Sequence, residues 1–487
     1  MKKNTSYTYL LLALAFGFAL VFGIFHRYKK APLPPVTHAT HAPSNTVWMN
    51  VFMHGSFGTI LGLLSVFNVM KDEVDKTNYK KMTSHMRYDH FFYQLQPLLA
   101  PGLIQFSPTF DASLYQDKKY AIFPVAQAYK ELSEWVVKKN QANQRFYTFG
   151  WSGLVSQGRR RKEAIRFYNM LNHEYKKLVK EGYQPKIRII THSHGGNVAL
   201  NMAGIYKLLK NPCFEITKET VPDNEERDAL LALEETCKSL QKKKDVVSNL
   251  HQKKWDYIPY RSPMLVDELI LLGTPIQPET RHFFYYPFFK KIYNVYSDGD
   301  KVQRMDWVST KRYYSEQRLN CSPVNASNKI FQVRLTLNKI AQPQKDAASS
   351  DEKSKGVLSL LFGMGGKKSD VTDPSHRELW FMGWKTQINA KSAQTNIQPY
   401  PFVILTPLFK HLVDTHNLCD VDIKLEFEED AVKLNLYEHN VPEVRAHLDV
   451  PRSLIRDLQK KANAWQPHDV TRSNEMNILH NYSHLLT

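Results

Sequence analysis

The segment that most constrains the fold is residues 186–200, where a β-branched run ends at a lone serine, Ser193. This serine lies between two histidines and is followed by Gly195, Gly196 and a helix-forming stretch. A serine on a tight strand-to-helix turn needs small neighbours, and the turn lifts its hydroxyl out of the sheet. The N–H groups that begin the next helix can stabilise negative charge. We therefore predict a nucleophile elbow at Ser193, with Thr191 where such turns usually carry a smaller residue.

Further motifs flank this segment in a consistent order. Upstream, an apolar run leads into His-Gly-Ser-Phe-Gly at 54–58. Downstream, three more apolar runs precede polar loops: Gly-Thr-Pro at 273–275, Ser-Asp-Gly-Asp at 297–300 and Asp-Pro-Ser-His at 373–376. Together with the elbow, these motifs resemble the α/β-hydrolase superfamily, specifically its lipase- and esterase-like members. The resemblance covers roughly residues 45–380, with large insertions.

The resemblance implies a catalytic triad in the chain order serine, acid, histidine. Ser193 is then the nucleophile, and its hydroxyl needs an adjacent general base to react. His376 is the candidate base, because it follows the last strand-like run as the family's histidine does. Asp300 is the candidate acid that holds the imidazole in its working tautomer. Asp298, two residues earlier, remains the alternative acid.

The resemblance also implies an oxyanion hole made of backbone N–H groups that point at the tetrahedral intermediate. One donor is then the amide of His194, the residue after the nucleophile. The second is the amide of Ser56 or Phe57, in the loop that follows His54. We expect the side chain of His54 to be structural, and the two histidines beside the nucleophile to orient the elbow.

The residues themselves leave other interpretations open. Ser193 also suits a helix N-cap, and the Asp-Gly-Asp at 298–300 is also turn chemistry. His411 and His416 compete with His376 for the role of the base. If no triad is formed, the chain is a catalytically silent relative that binds lipids or a partner protein.

Residues 1–30 predict an uncleaved membrane anchor. Residues 7–25 form an uncharged, mostly apolar stretch with basic residues on both sides, which is long enough for a transmembrane helix and long for a signal-peptide core. A cleaved signal is the alternative. The Pro-containing residues 31–45 predict an extended linker. The basic flanks nearly balance, and a long domain after a short tail favours a catalytic part on the extracytoplasmic side.

The charge balance favours a lipid surface over nucleic acid as a partner. The chain has 65 Lys and Arg against 47 Asp and Glu, a formal net charge of +18, which attracts anionic headgroups. No zinc-ligand spacing or RNA-binding aromatic motif is present, and the basic runs at 159–162 and 242–244 lie on predicted helices. The four cysteines are widely spaced, which leaves one bridge, Cys213 to Cys237, open. Triad chemistry requires no metal and no organic cofactor, and nothing indicates the oligomeric state.

Alternating strand and helix patterns predict an α/β fold with a mostly parallel, doubly wound sheet, and the resemblance adds that it is of the α/β-hydrolase type. Predicted helices include 123–138 and 159–180, the second of which stops at Gly182. Alternating residues at 421–427 and 431–436 predict a β-hairpin in a small C-terminal extension. The predicted organisation is an anchor at 1–30, a linker at 31–45, a hydrolase domain at 46–410 with helical or irregular insertions at about 62–144, 211–260 and 345–370, and the extension at 411–487.

Two segments leave a choice between a structural and a functional role. The charge-rich insertion at 211–260 is either a lid over the site or a solvated addition. The aromatic run at 283–289 either belongs to the core, or lines an acyl pocket or faces the membrane. The composition of each segment fits both of its alternatives.

The expected function is that of a membrane-anchored serine hydrolase that cleaves carboxylic esters, with lipids as the favoured substrates. The same triad also serves thioesterases, acyltransferases and peptidases, which remain alternatives. The substrate and its acyl-chain length do not follow from the residues.

Overall fold

The structure is a computed structural model. It describes residues 45–56, 101–111, 122–137, 143–210, 215–246, 264–304, 315–319, 329–337, 373–374, 376, 379–380, 402–428 and 430–462. The predicted anchor at 1–30, nearly all of the linker, the insertion at 345–370 and Phe57 lie outside these residues. In the part that is described, no helix combines the length and the apolar character that a membrane crossing requires.

Ten strands form a single sheet within the described residues, in the order β10-β9-β8-β7-β6-β5-β4-β1-β3-β2. Every neighbouring pair from β3 to β8 along this order is parallel, while β2, β9 and β10 pair antiparallel at the two edges. The predicted mostly parallel α/β sheet is therefore confirmed. The strands are β1 Thr46–Met53, β2 Gly102–Phe106, β3 Asn143–Gly150, β4 Gln184–His192, β5 Val266–Leu272, β6 Phe289–Tyr296, β7 Ile330–Leu337, β8 Asp420–Phe427, β9 Ala431–Glu438 and β10 Val444–Pro451.

Helices cover both faces of this sheet. Helices α1, α6 and α7 pack with one face, and α2, α3 and α4 pack with the other, so that the sheet separates two hydrophobic cores. This doubly wound arrangement is typical of parallel sheets, whose crossover helices cover both faces. The helices are α1 Ile122–Val137, α2 Gln157–Lys180, α3 His194–Lys210, α4 Asn224–Val246, the short α5 Lys301–Arg304, α6 Thr406–His416 and α7 Arg452–Ala462, with 3₁₀ turns at Arg281–Tyr285 and Phe402–Leu405.

Strand β4 shows why the central strands form. Its last six residues are all buried, and the side chains alternate between the two cores: Ile187 and Ile189 face one, and Ile190 faces the other. Successive side chains of a strand point to opposite faces, so a strand buried on both faces needs apolar residues at consecutive positions. This apolar run carries the chain to the elbow at the carboxyl edge of the sheet.

Helix α2 begins and ends where the sequence predicts a helix. The Ser156 hydroxyl caps its first turn by accepting a hydrogen bond from the Arg159 backbone N–H at 3.2 Å. After the helix, Gly182 adopts a positive φ of 87°, a left-handed conformation that glycine takes at helix ends without steric cost. Local chemistry therefore sets both ends of this helix.

Helix α4 lies within the predicted insertion at 211–260. Leu230 and Leu233 on this helix are fully buried in the core that α2 and α3 also line. Cys237 on the same helix is a free thiol, so the bridge to Cys213 that the spacing left open is not formed. Burial raises the pKa of the Cys237 thiol to about 12, which keeps it protonated and unreactive.

The aromatic run at 283–289 belongs mainly to the core. Phe283, Phe284, Phe288 and Phe289 are at most 1% exposed and pack in the core on the α2 side of the sheet. Tyr285, at 39%, and Pro287 are the exposed members of the run. The prediction that this segment belongs to the core is therefore confirmed for these four phenylalanines.

The C-terminal strands continue the main sheet. Strands β8 and β9 form the predicted antiparallel hairpin, and β8 also pairs in parallel with β7. Helix α6, which precedes the hairpin, buries Leu408, Phe409 and Leu412 in the core that it shares with α1. The strands after α6 and the helix itself thus contribute directly to the packing of the central sheet.

Candidate active site

Ser193 lies on a strained turn between the end of β4 and the start of α3. Its φ of 51° is in the left-handed region, which costs energy for a residue with a side chain and is found mostly where function requires it. Its backbone N–H donates to the Leu272 carbonyl at 2.9 Å, and its carbonyl accepts from the Gly196 N–H at 3.0 Å. These bonds hold the serine at the carboxyl edge of the sheet, where open α/β sheets keep their sites.

Three glycines allow main-chain segments to approach this turn closely. A Cβ atom on Gly55 would lie 2.7 Å from the Ser193 Cβ, and one on Gly195 would lie 2.5 Å from the His54 carbonyl oxygen. A Cβ atom on Gly196 would lie 2.2 Å from the Thr274 hydroxyl oxygen. Real side chains do not fit at such distances. The loop after β1, the elbow and the loop after β5 are therefore in direct contact.

Thr191 occupies the position where the elbow pattern usually has a smaller residue. Its side chain is fully buried, and its hydroxyl donates to the Ile270 carbonyl at 3.2 Å. The residue has β-strand pairing with Leu271 on β5, so the threonine lies within the strand and not in the turn itself. A β-branched side chain with its hydroxyl bonded is compatible with this position.

Asp300 and His376 form a buried hydrogen-bonded pair. The His376 Nδ1 lies 2.7 Å from the Asp300 Oδ2, and the aspartate side chain is 0% exposed. The other carboxylate oxygen, Oδ1, accepts from the Gln303 backbone N–H at 3.0 Å. Because a carboxylate only accepts hydrogen bonds, Nδ1 carries the imidazole proton and Nε2 is the basic nitrogen.

The structure distinguishes the two candidate acids. Asp298 is bound by Arg334 of β7, with the guanidinium 3.2 Å from the carboxylate, and its side chain is 41% exposed. Asp300 points inward and contacts His376. His411 and His416, the competing histidines, lie on α6. Of the candidate acids and histidines, the two in contact are therefore Asp300 and His376.

Two glycines let the acid and histidine segments meet. A Cβ atom on Gly299 would lie 2.2 Å from the Asp373 carbonyl oxygen. Gly273, with φ 59°, lies beneath the pair: a Cβ there would be 2.9 Å from the Asp300 Oδ2 and 3.2 Å from the His376 Nδ1. The loops after β5 and β6 are thus shaped to admit the histidine segment.

We expect Gly299→Ala to lower the catalytic rate about 10- to 100-fold, because a displacement of about 1 Å at a catalytic group has effects of this size. The added methyl group would collide with the main chain at Asp373, and the histidine segment would have to retreat from Asp300. Steady-state kinetics on an ester substrate, with thermal unfolding measured in parallel, tests this. An unchanged rate in a folded variant would show that the contact does not position His376.

His54 is held by Trp151, a residue that the motif analysis did not single out. The Trp151 backbone N–H donates to the His54 Nε2 at 3.2 Å, and the indole Nε1 donates to the His54 carbonyl at 2.7 Å. The two rings stack at a centroid distance of 5.7 Å. The His54 Nδ1 in turn donates to the Gly55 carbonyl at 2.7 Å. The side chain of His54 therefore holds its own loop in place, as predicted. The sequence feature that could have indicated Trp151 is Trp-Ser-Gly at 151–153, directly after a strand.

Of the predicted oxyanion residues, His194 directly follows Ser193. His194 is the first residue of α3, so its N–H belongs to the helix start, where amides have no partner within the helix. Its imidazole is buried, and its Nδ1 lies 3.4 Å from the Asn197 side-chain amide. Ser56 follows directly after Gly55, which contacts Ser193. Phe57, the alternative second donor, lies outside the described residues.

Comparison with known proteins gives no relative for this chain: no family model, no curated protein and no solved structure matches it. Within the described residues, no group of three or more His, Cys, Asp or Glu side chains is arranged to hold a metal ion.

Proposed function

We propose that the chain is a membrane-anchored serine hydrolase of the α/β-hydrolase type, which cleaves carboxylic esters through a Ser193–His376–Asp300 triad. The observation that carries the proposal is the buried contact of 2.7 Å between Asp300 and His376, at the same sheet edge as a serine with φ 51°. A strained, buried serine and a histidine whose Nδ1 donates to a buried aspartate are two features that triad chemistry requires. The chain order serine, acid, histidine supports the same family.

In the proposed reaction, the Ser193 Oγ attacks the ester carbonyl while the His376 Nε2 removes its proton. Nε2 is free to act as the base because Nδ1 donates to Asp300. The aspartate then stabilises the imidazolium that forms. His376 returns the proton to the leaving alcohol, and an acyl-enzyme on Ser193 remains.

Water completes the cycle by the same steps. His376 removes a proton from water, the hydroxide attacks the acyl carbonyl, and the proton returns to Ser193. Negative charge on the carbonyl oxygen develops in both halves of the reaction. The amides of His194 and Ser56 are the proposed donors to this oxygen, since preorganised N–H groups stabilise it without reorganisation.

Lipids are the proposed substrate class. The support comes from the apolar residues 7–25, which would hold the enzyme at a bilayer, and from the formal net charge of +18. A basic protein at an anionic membrane surface meets its substrates there at a raised local concentration.

The test is labelling of the full chain, purified in detergent, with a fluorophosphonate probe that reacts only with an activated serine. We expect the wild type to be labelled and Ser193→Ala to show no labelling with its fold intact. Ser133→Ala is the matched control, because Ser133 is a buried serine of α1 outside the triad, and this variant should be labelled at the wild-type rate. Absence of labelling in a folded wild type, or labelling that survives in Ser193→Ala, would refute the proposal.

Substrate class is tested separately with p-nitrophenyl esters of increasing acyl length and with phospholipid vesicles. We expect hydrolysis to be faster for long acyl chains than for acetate, because apolar burial favours binding by about 0.8 kcal/mol for each methylene group. Faster hydrolysis of short esters than of long ones would argue for an esterase that does not act on lipids.

A further inference from the structure

His192, the residue before the nucleophile, is bonded to the segment that carries the base. Its Nε2 lies 2.8 Å from the main-chain carbonyl oxygen of His376. Its ring contacts two rings of that segment: it lies 4.6 Å from the His376 imidazole and stacks on the Trp380 indole at 5.5 Å and 9°. The side chain is almost completely buried, at 3% exposure. The hydrogen bond and both ring contacts of His192 are therefore made with the histidine segment.

The acceptor fixes the tautomer of His192. A carbonyl oxygen only accepts, so Nε2 must carry a hydrogen. Burial, with smaller contributions from His376 and the other nearby histidines, lowers the pKa of His192 well below its ordinary value, so the ring is neutral. Its Nδ1 has no hydrogen-bond partner among the described residues and packs against Gly55, where a Cβ atom would lie 3.1 Å away.

This tautomer excludes His192 as a second base. Its Nε2 is already protonated and bonded, and its Nδ1 is buried away from solvent. The proton that His376 takes from Ser193 is therefore not passed on to His192. His192 can still act by holding the His376 backbone in place. Because His192 is bonded covalently to Ser193, it would hold that backbone at a fixed position relative to the nucleophile.

We propose that His192 is a positioning residue: its Nε2–H holds the His376 carbonyl and so fixes the catalytic imidazole relative to Ser193. This inference rests on the proposed function. His376 then has two fixed points, its Nδ1 on Asp300 after β6 and its carbonyl on His192 at the end of β4. The first sets the rotation of the ring, and the second sets the place of the backbone that carries it. Because His192 is joined to Ser193 by a peptide bond, the second fixed point moves with the nucleophile.

Three substitutions of His192 distinguish the effect of its Nε2–H donor from the effect of its ring, which stacks on Trp380. His192→Gln places an amide N–H about where Nε2 lies, so it can still reach the His376 carbonyl. The amide of His192→Asn extends only as far as Nδ1 does, so it cannot reach the His376 carbonyl. His192→Phe keeps an aromatic ring stacked on Trp380 but has no hydrogen-bond donor. We expect the asparagine and phenylalanine variants to label with fluorophosphonate about 10- to 100-fold more slowly, from a misplacement of about 1 Å, and the glutamine variant to stay within about threefold of wild type.

The readout is the first-order rate constant for labelling at saturating probe, together with kcat and KM for a short ester. This rate constant belongs to the folded molecules and does not depend on how many there are, so partial unfolding of a variant does not mimic the effect. We expect kcat to fall while KM changes little, because His192 acts through His376 and is not proposed to contact the substrate. Thr191→Val is the control from the same strand, since its hydroxyl bonds to Ile270 and not to the histidine segment, and it should label as wild type does.

The outcomes separate the two proposals. If the wild type does not label, the proposed function fails. If the wild type labels and the asparagine and phenylalanine variants label equally fast, only the positioning role fails. The positioning role also fails if His192→Gln loses as much as His192→Asn, because the donor would then not be what holds His376.

Discussion

Replacing Asp300 by asparagine is expected to lower kcat about 10⁴-fold, the loss that an asparagine causes at the acid of a Ser-His-Asp triad. The carboxylate now accepts the Nδ1 hydrogen of His376 at 2.7 Å. An asparagine that turns its NH₂ group toward His376 forces Nδ1 to become the acceptor. The proton then resides on Nε2, which can no longer take one from Ser193.

The hydrogen bond from the Gln303 backbone decides which way the asparagine turns. This N–H donates to the Oδ1 of Asp300 at 3.0 Å, so the side-chain carbonyl of an asparagine is held there and its NH₂ group faces His376. The variant should therefore fold normally and retain its affinity for substrate. Steady-state kinetics with a soluble ester gives kcat and KM separately.

Asp298→Asn is the matched control for this experiment, one glycine away on the same loop. Asp298 is bound by Arg334 and is partly exposed, and exposed ion pairs contribute only about 0–1 kcal/mol. We expect its kcat to stay within about threefold of wild type. A larger loss in Asp298→Asn than in Asp300→Asn would assign the acid to Asp298 and contradict the structure.

The contrast between these two aspartates shows how far the sequence predicts the site. Ser193 is found because a strand, a turn and a helix start follow one another locally. Asp298 and Asp300 lie in the same turn, and the sequence favours neither decisively. Arg334 on β7 binds one of them and His376 contacts the other. Both partners come from distant parts of the chain, so the decision requires the tertiary structure.

The topology shows the same limit at the C-terminus. Alternating residues predict the β8–β9 hairpin, because a two-residue period and a polar turn are local signals. That β8 pairs in parallel with β7, and so extends the main sheet, is a non-local choice of partner. Such a choice depends on helix α6, which brings the chain back across the sheet.

A buried row of charges across the sheet was missed by the motif analysis. Arg188 on β4 pairs in register with Glu268 on β5 and with Asn50 on β1. Single charged residues in a strand usually indicate a solvated face, but α1 and α6 cover this one. One feature of the sequence could have revealed this row. Arg188 and Glu268 have opposite charges, and Arg188 lies five residues before Ser193 just as Glu268 lies five residues before Gly273.

Replacing Glu268 by glutamine is expected to lower the free energy of unfolding by about 3–5 kcal/mol, the cost of removing one partner from a buried ion pair. The Arg188 and Glu268 side chains are each only 8% exposed, and Lys410 of α6 adds a second contact to Glu268 at 3.0 Å. Arg188 also donates to Asn50 at 3.0 Å and to the Tyr129 hydroxyl at 3.1 Å. With a neutral residue at 268, two buried cations lose the carboxylate that they share.

Glu438→Gln is the matched surface control for this change in stability. Glu438 pairs with Arg445 at 3.0 Å, but both side chains are well exposed, so we expect a loss of less than about 1 kcal/mol. Urea unfolding followed by circular dichroism measures both variants. Equal small effects in the two would mean that the buried row contributes no more than a surface ion pair.

The pH dependence of this loss gives a second, independent check on the buried carboxylate. Burial alone would raise the pKa of Glu268, but Arg188 and Lys410 outweigh it and hold the pKa below its ordinary value. The folded protein therefore keeps this carboxylate charged at a pH where the unfolded chain has taken up a proton. Its contribution to stability is present above the ordinary pKa and is lost as the pH falls through the lowered one. The difference between wild type and Glu268→Gln should accordingly be largest near neutral pH and shrink in acid, whereas a difference independent of pH would trace the loss to packing and not to charge.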